Sequence, residues 1–199
     1  MVNTLTMDIS CAILAGGKST RFGRDKATFE INGKPLIRSI CDIAKRVFKD
    51  VVIVSKSHNT ISGIDIPIIK DSIPVHSPMA GIVSALLYNT TPYTFIIACD
   101  MPNISEKALS AMIEEISGED IIIPRTGLGY EPLHAIYNRS CISPMLTLIE
   151  RQVLHISALF PYLVVKELEK KTYFFHKGHS IFMNINTKED ICCVQRLGL

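Results

Sequence analysis

The feature that most constrains this chain is a set of short apolar runs, each of which stops on a glycine pair, a hydroxyl or a charge. They are Ile9–Ala15 (ISCAILA, before Gly16–Gly17), Val51–Ser55 (VVIVS), Thr94–Asp100 (TFIIACD) and Asp120–Arg125 (DIIIPR). Each is far shorter than the ~18 residues a membrane helix requires, and none alternates like a strand with one wet face. They read as strands buried on both faces. Between them the period changes: Leu36, Ile37, Ile40, Ile43, Ala44 and Val47 follow Pro35 at helical spacing, with proline at the first turn. Met79, Ile82, Val83, Leu86 and Leu87 form a second helical stripe, and Ser105 can cap a third helix bearing Leu109, Met112, Ile113 and Ile116. This alternation predicts an α/β fold, a mostly parallel twisted sheet with helices on both faces.

Further strands are expected at Ile66–Asp71 and Leu133–Tyr137, a hairpin turn at Asn32–Gly33, and a helix near Ile142–Arg151. Residues 153–182 carry the weakest pattern and read as a helix with one or two strands. Thr187 and Asp190 have the spacing of a capping box for a last helix. The 199 residues fit one domain, and 47% hydrophobic residues are ample for its core. A net charge of +2 gives no sign of general nucleic-acid binding, and the N-terminus lacks the pattern of a signal peptide. A cytoplasmic protein with no membrane partner is expected. The six cysteines form no C-x-x-C pair and read as buried thiols of a reducing compartment.

Ligands of such a sheet sit at the carboxyl ends of its strands, so the residues that close each strand carry the information. The loop after the first strand, AGGKSTRFGRDK, contains the letters GKST but is not a P-loop, because the required earlier glycine is Ala12, inside the strand. Its chemistry still suits phosphate. Gly16 and Gly17 let backbone N–H groups approach an anion, Ser19 and Thr20 add hydroxyls, and Arg21 and Lys26 add two cations. Asp100 closes the most apolar strand and is the best single Mg²⁺ ligand candidate, the other reading being a turn cap. Asp71 could accept from the N–H groups of guanine, or simply open a turn. Asn184 and Asn186 share a face of an extended segment and suit a heterocycle, a phosphate or a cap. His134, in EPLHAIY, reads as a hydrogen-bonded structural histidine, and no serine or histidine pattern suggests covalent catalysis.

Taken in order, LAGGKSTRFGRDKA at 14–27, Asp71, SPMAGI at 77–82, ACDMP at 98–102, EPLHAIY at 131–137 and FMNINTKED at 182–190 resemble the molybdenum cofactor guanylyltransferase (MobA) family. The resemblance implies a Rossmann-like nucleotidyltransferase fold over 1–199, with nucleotide binding in about 1–105 and the acceptor in about 106–199. It implies transfer of GMP from Mg-GTP to molybdopterin, giving the guanine dinucleotide and pyrophosphate. It assigns Leu14, Ala15 and Gly16 to the nucleotide, Lys26 to its phosphates, Asp71 to guanine and Asp100 to Mg²⁺. Gly17 and Arg21, read from the loop, join the nucleotide and phosphate candidates, as does Ser55 at the end of the second strand. Pro132, Leu133, Asn184 and Asn186 fall on the pterin side, and the implied protein partners are other cofactor-assembly proteins and apo-molybdoenzymes. Two positions depart from the family pattern: Ser55 stands where an asparagine is usual, and Ser77–Gly81 where GPLAG is usual. Cytidylyltransferase relatives carry LAAG, so Gly16 favours guanine. The competing readings are a related transferase using CTP or a sugar-phosphate acceptor, and a non-catalytic nucleotide-binding regulator.

Overall fold

A computed structural model describes residues 8–15, 30–31, 33–56, 64–185 and 187–196. In chain order the first elements are β1 (Ile9–Leu14), a small ribbon of β2 (Glu30–Ile31) and β3 (Lys34–Pro35), α1 (Leu36–Val47), β4 (Val51–Ser55) and β5 (Ile68–Lys70). Then come α2 (Pro78–Tyr88), β6 (Tyr93–Ala98), α3 (Glu106–Ile113), β7 (Ile121–Thr126), β8 (Gly129–Tyr130), β9 (His134–Asn138) and α4 (Ile142–Glu150). The chain closes with β10 (Val165–Glu169), a ribbon of β11 (Phe175–His176) and β12 (His179–Ser180), and α5 (Lys188–Arg196).

The main sheet runs β10-β7-β9-β6-β1-β4-β5, with β8 paired to β7. All its strands point one way except β9 and β8, which are antiparallel to their neighbours. In β1, successive side chains feed opposite layers. Cys11 and Ile13 join Ile37, Phe95, Leu109 and Val194 on one face, while Ala12 and Leu14 join Met79, Ile82, Ile96 and Met145 on the other. The α/β sheet covered on both faces is thus as the alternation of periods predicted. Among the described residues no helix is long and apolar enough to cross a membrane.

Local differences have physical causes. Pro35 is the N-cap of α1 rather than its first turn, because it also pairs with Glu30 across a ribbon whose turn residue Gly33 has φ +75. β5 begins at Ile68, not Ile66, since Pro67 has no N–H for the ladder and only its carbonyl bonds, to Ile53 N–H at 2.9 Å. The expected stripe on α2 is instead burial all round from Met79 to Leu86, because the helix lies between the sheet and α4. Residues 153–182 contain no α-helix, only 3-10 turns at Ile156–Tyr162 and Thr172–Phe174 around β10, plus the β11–β12 ribbon. The capping box forms as read: Thr187 N–H donates to Asp190 Oδ2 at 2.7 Å and Asp190 N–H to Thr187 Oγ1 at 3.1 Å. Four cysteines are buried, but Cys192 and Cys193 are exposed on α5, contrary to the expectation of six buried thiols.

His134 is structural but not hydrogen-bonded. It is fully buried, neither ring nitrogen finds a partner among the described residues, and the ring stands edge-to-face against Phe95 at 5.2 Å and Phe182 at 5.5 Å. Burial pushes its pKa down to about 3. The unfolded chain takes up this proton near pH 6.5, the folded chain only near pH 3, so stability is lost as pH falls through that window. Between pH 7.5 and pH 5 the loss from this residue should be about 2 kcal/mol. Denaturant titrations at the two pH values should show it in the native chain, and a correspondingly smaller loss in His134→Phe.

Candidate active site

The carboxyl ends of the parallel strands form one rim, stitched together by backbone hydrogen bonds. Asp71 N–H donates to Ser55 O at 2.8 Å, Ala15 N–H to Val54 O at 2.9 Å, Cys99 N–H to Leu14 O at 3.2 Å and Ala98 N–H to Leu133 O at 2.9 Å. Neighbouring strands thereby bring Asp71, Ser55, Leu14–Ala15, Asp100 and Leu133 to a single edge. From β5 to β6 are three strand spacings, about 14 Å, so the two carboxylates stand at opposite ends of a row that could take an extended nucleotide. Pro132 and Leu133 belong to this edge because β9 runs antiparallel and starts where the others finish. The Pro132 carbonyl is held there by Tyr137 Oη at 2.9 Å.

Gly16, Gly17, Arg21, Lys26 and Asn186 lie outside the described residues. Ala15, the residue before the glycine pair in sequence, stands in mid-rim between β4 and β6. Asn184 is exposed beside the buried Ile185, whose N–H donates to Asp100 O at 2.8 Å. That bond brings the last extended segment to the carboxylate at the end of β6. Of the sequence-predicted residues, then, the structure gathers Leu14, Ala15, Ser55, Asp71, Asp100, Pro132, Leu133 and Asn184 along one side of the molecule.

Asp71 is only partly buried, yet its Oδ1 accepts twice, from Ile73 N–H at 3.2 Å and from Ser84 Oγ at 2.8 Å. Half-buried Glu131 lies near Pro132; desolvation raises its carboxyl above the usual range, against the lowering effect of the Thr126 hydroxyl at 3.4 Å. Among the described residues no three His, Cys, Asp or Glu side chains group as a metal cage. A single carboxylate such as Asp100 fits the demand of Mg²⁺, which takes one or two carboxylates and completes its shell with phosphate and water.

Several supports lie behind the candidate residues. Gly81 lets α2 close on the end of β1, since a Cβ there would stand 3.3 Å from Leu14 Cδ1. Lys56 Nζ straps the loop before α2 through Val75 O at 3.0 Å and His76 Nδ1 at 2.8 Å. Asn103, 1% exposed, sends Nδ2 to the carbonyls of His176, His179 and Ser180 at 3.2, 2.9 and 3.1 Å, tying the β11–β12 ribbon to the turn after β6. Only the proximity of Asn103 to Asp100 could have flagged it.

Comparison with known proteins agrees with this fold. The MobA-like NTP transferase domain matches residues 11–163. A probable molybdenum cofactor guanylyltransferase of Natranaerobius thermophilus is 33% identical, over 94% of this chain and 95% of its own. The molybdenum cofactor guanylyltransferase of Desulfosudis oleivorans is 31% identical, over 90% of each chain. The crystal structure of molybdopterin-guanine dinucleotide biosynthesis protein A from Archaeoglobus fulgidus superimposes with TM-score 0.82 at 26% identity, covering 95% of this chain and 98% of that one.

The Asn103 anchor yields a direct test. Asn103→Ala leaves three partly buried carbonyls short of a donor, and about 1–2 kcal/mol of stability should go with them. Hydrogen exchange should quicken at 175–185 and stay unchanged in β1 and β4, as peptide-resolved mass spectrometry would show.

Proposed function

We propose that this chain, which belongs to the MobA-like NTP transferase family, transfers GMP from GTP to the terminal phosphate of molybdopterin and releases pyrophosphate. The observation that carries the reading is the rim itself, with Asp71 and Asp100 at the ends of a row of adjacent strand termini and Ala15, the foot of the glycine loop, between them. The names of its relatives supply the base and the acceptor.

In the proposed reaction a phosphate oxygen of the acceptor attacks the α-phosphorus of GTP in line. The new P–O bond forms as the bond to the β-phosphate bridge breaks, and pyrophosphate leaves with the electron pair. No covalent enzyme intermediate is required, so the protein works by positioning and by offsetting charge. Lys26 and Arg21 are assigned to the phosphates, Leu14, Ala15, Gly16, Gly17 and Ser55 to the nucleotide, and Asp71 to the guanine edge. Asp100 would hold Mg²⁺, which when bound neutralises phosphate charge. Pro132, Leu133, Asn184 and Asn186 are assigned to the pterin acceptor. The nucleotide part spans about 1–105 and the acceptor part about 106–199 of one domain. The reading also puts the enzyme in the cytoplasm, delivering its product to apo-molybdoenzymes or other assembly proteins.

Mg-GTP and molybdopterin incubated with the chain should yield the guanine dinucleotide and pyrophosphate, with CTP and ATP far poorer donors. Removing either Asp100 (to Asn) or Lys26 (to Ala) should lower turnover roughly 10²–10³-fold. Full Mg²⁺-dependent pyrophosphate release by Asp100→Asn would remove Asp100 from the metal site.

A further inference from the structure

We infer that Ser84 is a positioning residue for base recognition, an inference that rests on the assignment of Asp71 to guanine. Ser84 lies in the buried run of α2 and is 4% exposed. Its Oγ donates to Asp71 Oδ1 at 2.8 Å and accepts from Ser72 N–H at 3.1 Å. A serine hydroxyl has one proton, and here that proton is committed to the carboxylate while a lone pair is committed to the loop. Ile73 N–H adds a second bond to the same Oδ1, at 3.2 Å. Among the described residues nothing bonds Oδ2.

The two bonds on Oδ1 do different things. The one from Ile73 is local: it ties the carboxylate to a turn two residues on, in a loop whose odd and even residues are alternately half-buried and exposed. The bond from Ser84 crosses to an enclosed helix, and it is the contact that fixes the plane of the carboxylate against the sheet. Guanine offers two donors side by side, N1–H and the exocyclic amino group. To meet both, the acceptor must have a fixed plane; a carboxylate free to rotate loses part of each bond and pays ordering entropy on binding. The same helix sets Gly81 against Leu14, so α2 backs two of the described residues assigned to the nucleotide, Leu14 and Asp71. Ser84 touches no substrate in this scheme. It acts through Asp71.

The test compares GTP with inosine triphosphate, which lacks the exocyclic amino group, in the full chain with molybdopterin as acceptor. The native chain should prefer GTP roughly tenfold or more in kcat/KM, the value of one hydrogen bond to a charged acceptor. Ser84→Ala should raise KM for GTP and cut that preference at least threefold, with kcat changed less than twofold and the thermal midpoint retained. Should the alanine chain fail to fold, Ser84→Cys, of similar size and a far weaker donor, carries the same expectation. Asp71→Asn, measured alongside, separates two failures. If it abolishes the preference while the Ser84 variants keep the native ratio, Ser84 has no positioning role and the guanine assignment stands. If Asp71→Asn keeps the native ratio, the guanine assignment falls, and the inference with it.

Discussion

β1 is hydrogen-bonded on both sides by parallel neighbours, to β4 from Cys11 through Leu14 and to β6 from Ile9 through Leu14. Because all three strands run out of pairing within a residue or two of one another, their last amides and carbonyls must be satisfied at the same level. They are, by Ala15 N–H on Val54 O and Cys99 N–H on Leu14 O. A slip of one residue in either ladder would turn Ala12 and Ile13 to the wrong layers and shift Asp100 relative to Ala15. The close packing of both faces of β1 opposes such a slip, because it would exchange side chains of different volume between the two layers, leaving voids in one and overlaps in the other. The hydrophobic packing therefore fixes the site as well as the fold, and it does so through register.

The antiparallel strand β9 shows how topology adds a second group of residues to an edge that parallel strands alone would have built. Lying between β6 and β7, it begins where its neighbours end. EPLHAIY thus presents Pro132 and Leu133 at the rim and buries His134, Ala135, Ile136 and Tyr137 in the sheet. In the proposed function one side of the rim would take the nucleotide and the other the acceptor. The order of the strands, and not any linker, draws that division.

What could be read ahead of the structure followed burial. β1, β4 and β6 are buried on both faces, so their runs are apolar without interruption and their bounds fall within a residue or two of those expected. β10 is an edge strand in which only Leu168 is fully buried, and VKELE accordingly gives no strand signal. The 3-10 turns are too short for a hydrophobic period to repeat legibly. Candidate site residues at strand ends were legible because position in a parallel sheet is set locally. Their supports were not: Ser84 reaches Asp71 from the next helix, and Asn103 reaches carbonyls more than seventy residues on. His134 misled because a histidine in an apolar run suggests a buried partner, whereas two phenylalanine edges enclose it instead.

The bond from Ile185 N–H to Asp100 O joins the middle of the chain to nearly its end. During synthesis, β1, β4, β5 and β6 can pair as soon as they leave the ribosome, while the segment that flanks Asp100 is still untranslated. The rim would then exist before its last wall. A growing chain at that stage lacks the segment assigned to the acceptor, so in the proposed function competence for transfer waits on nearly the last residues to be made.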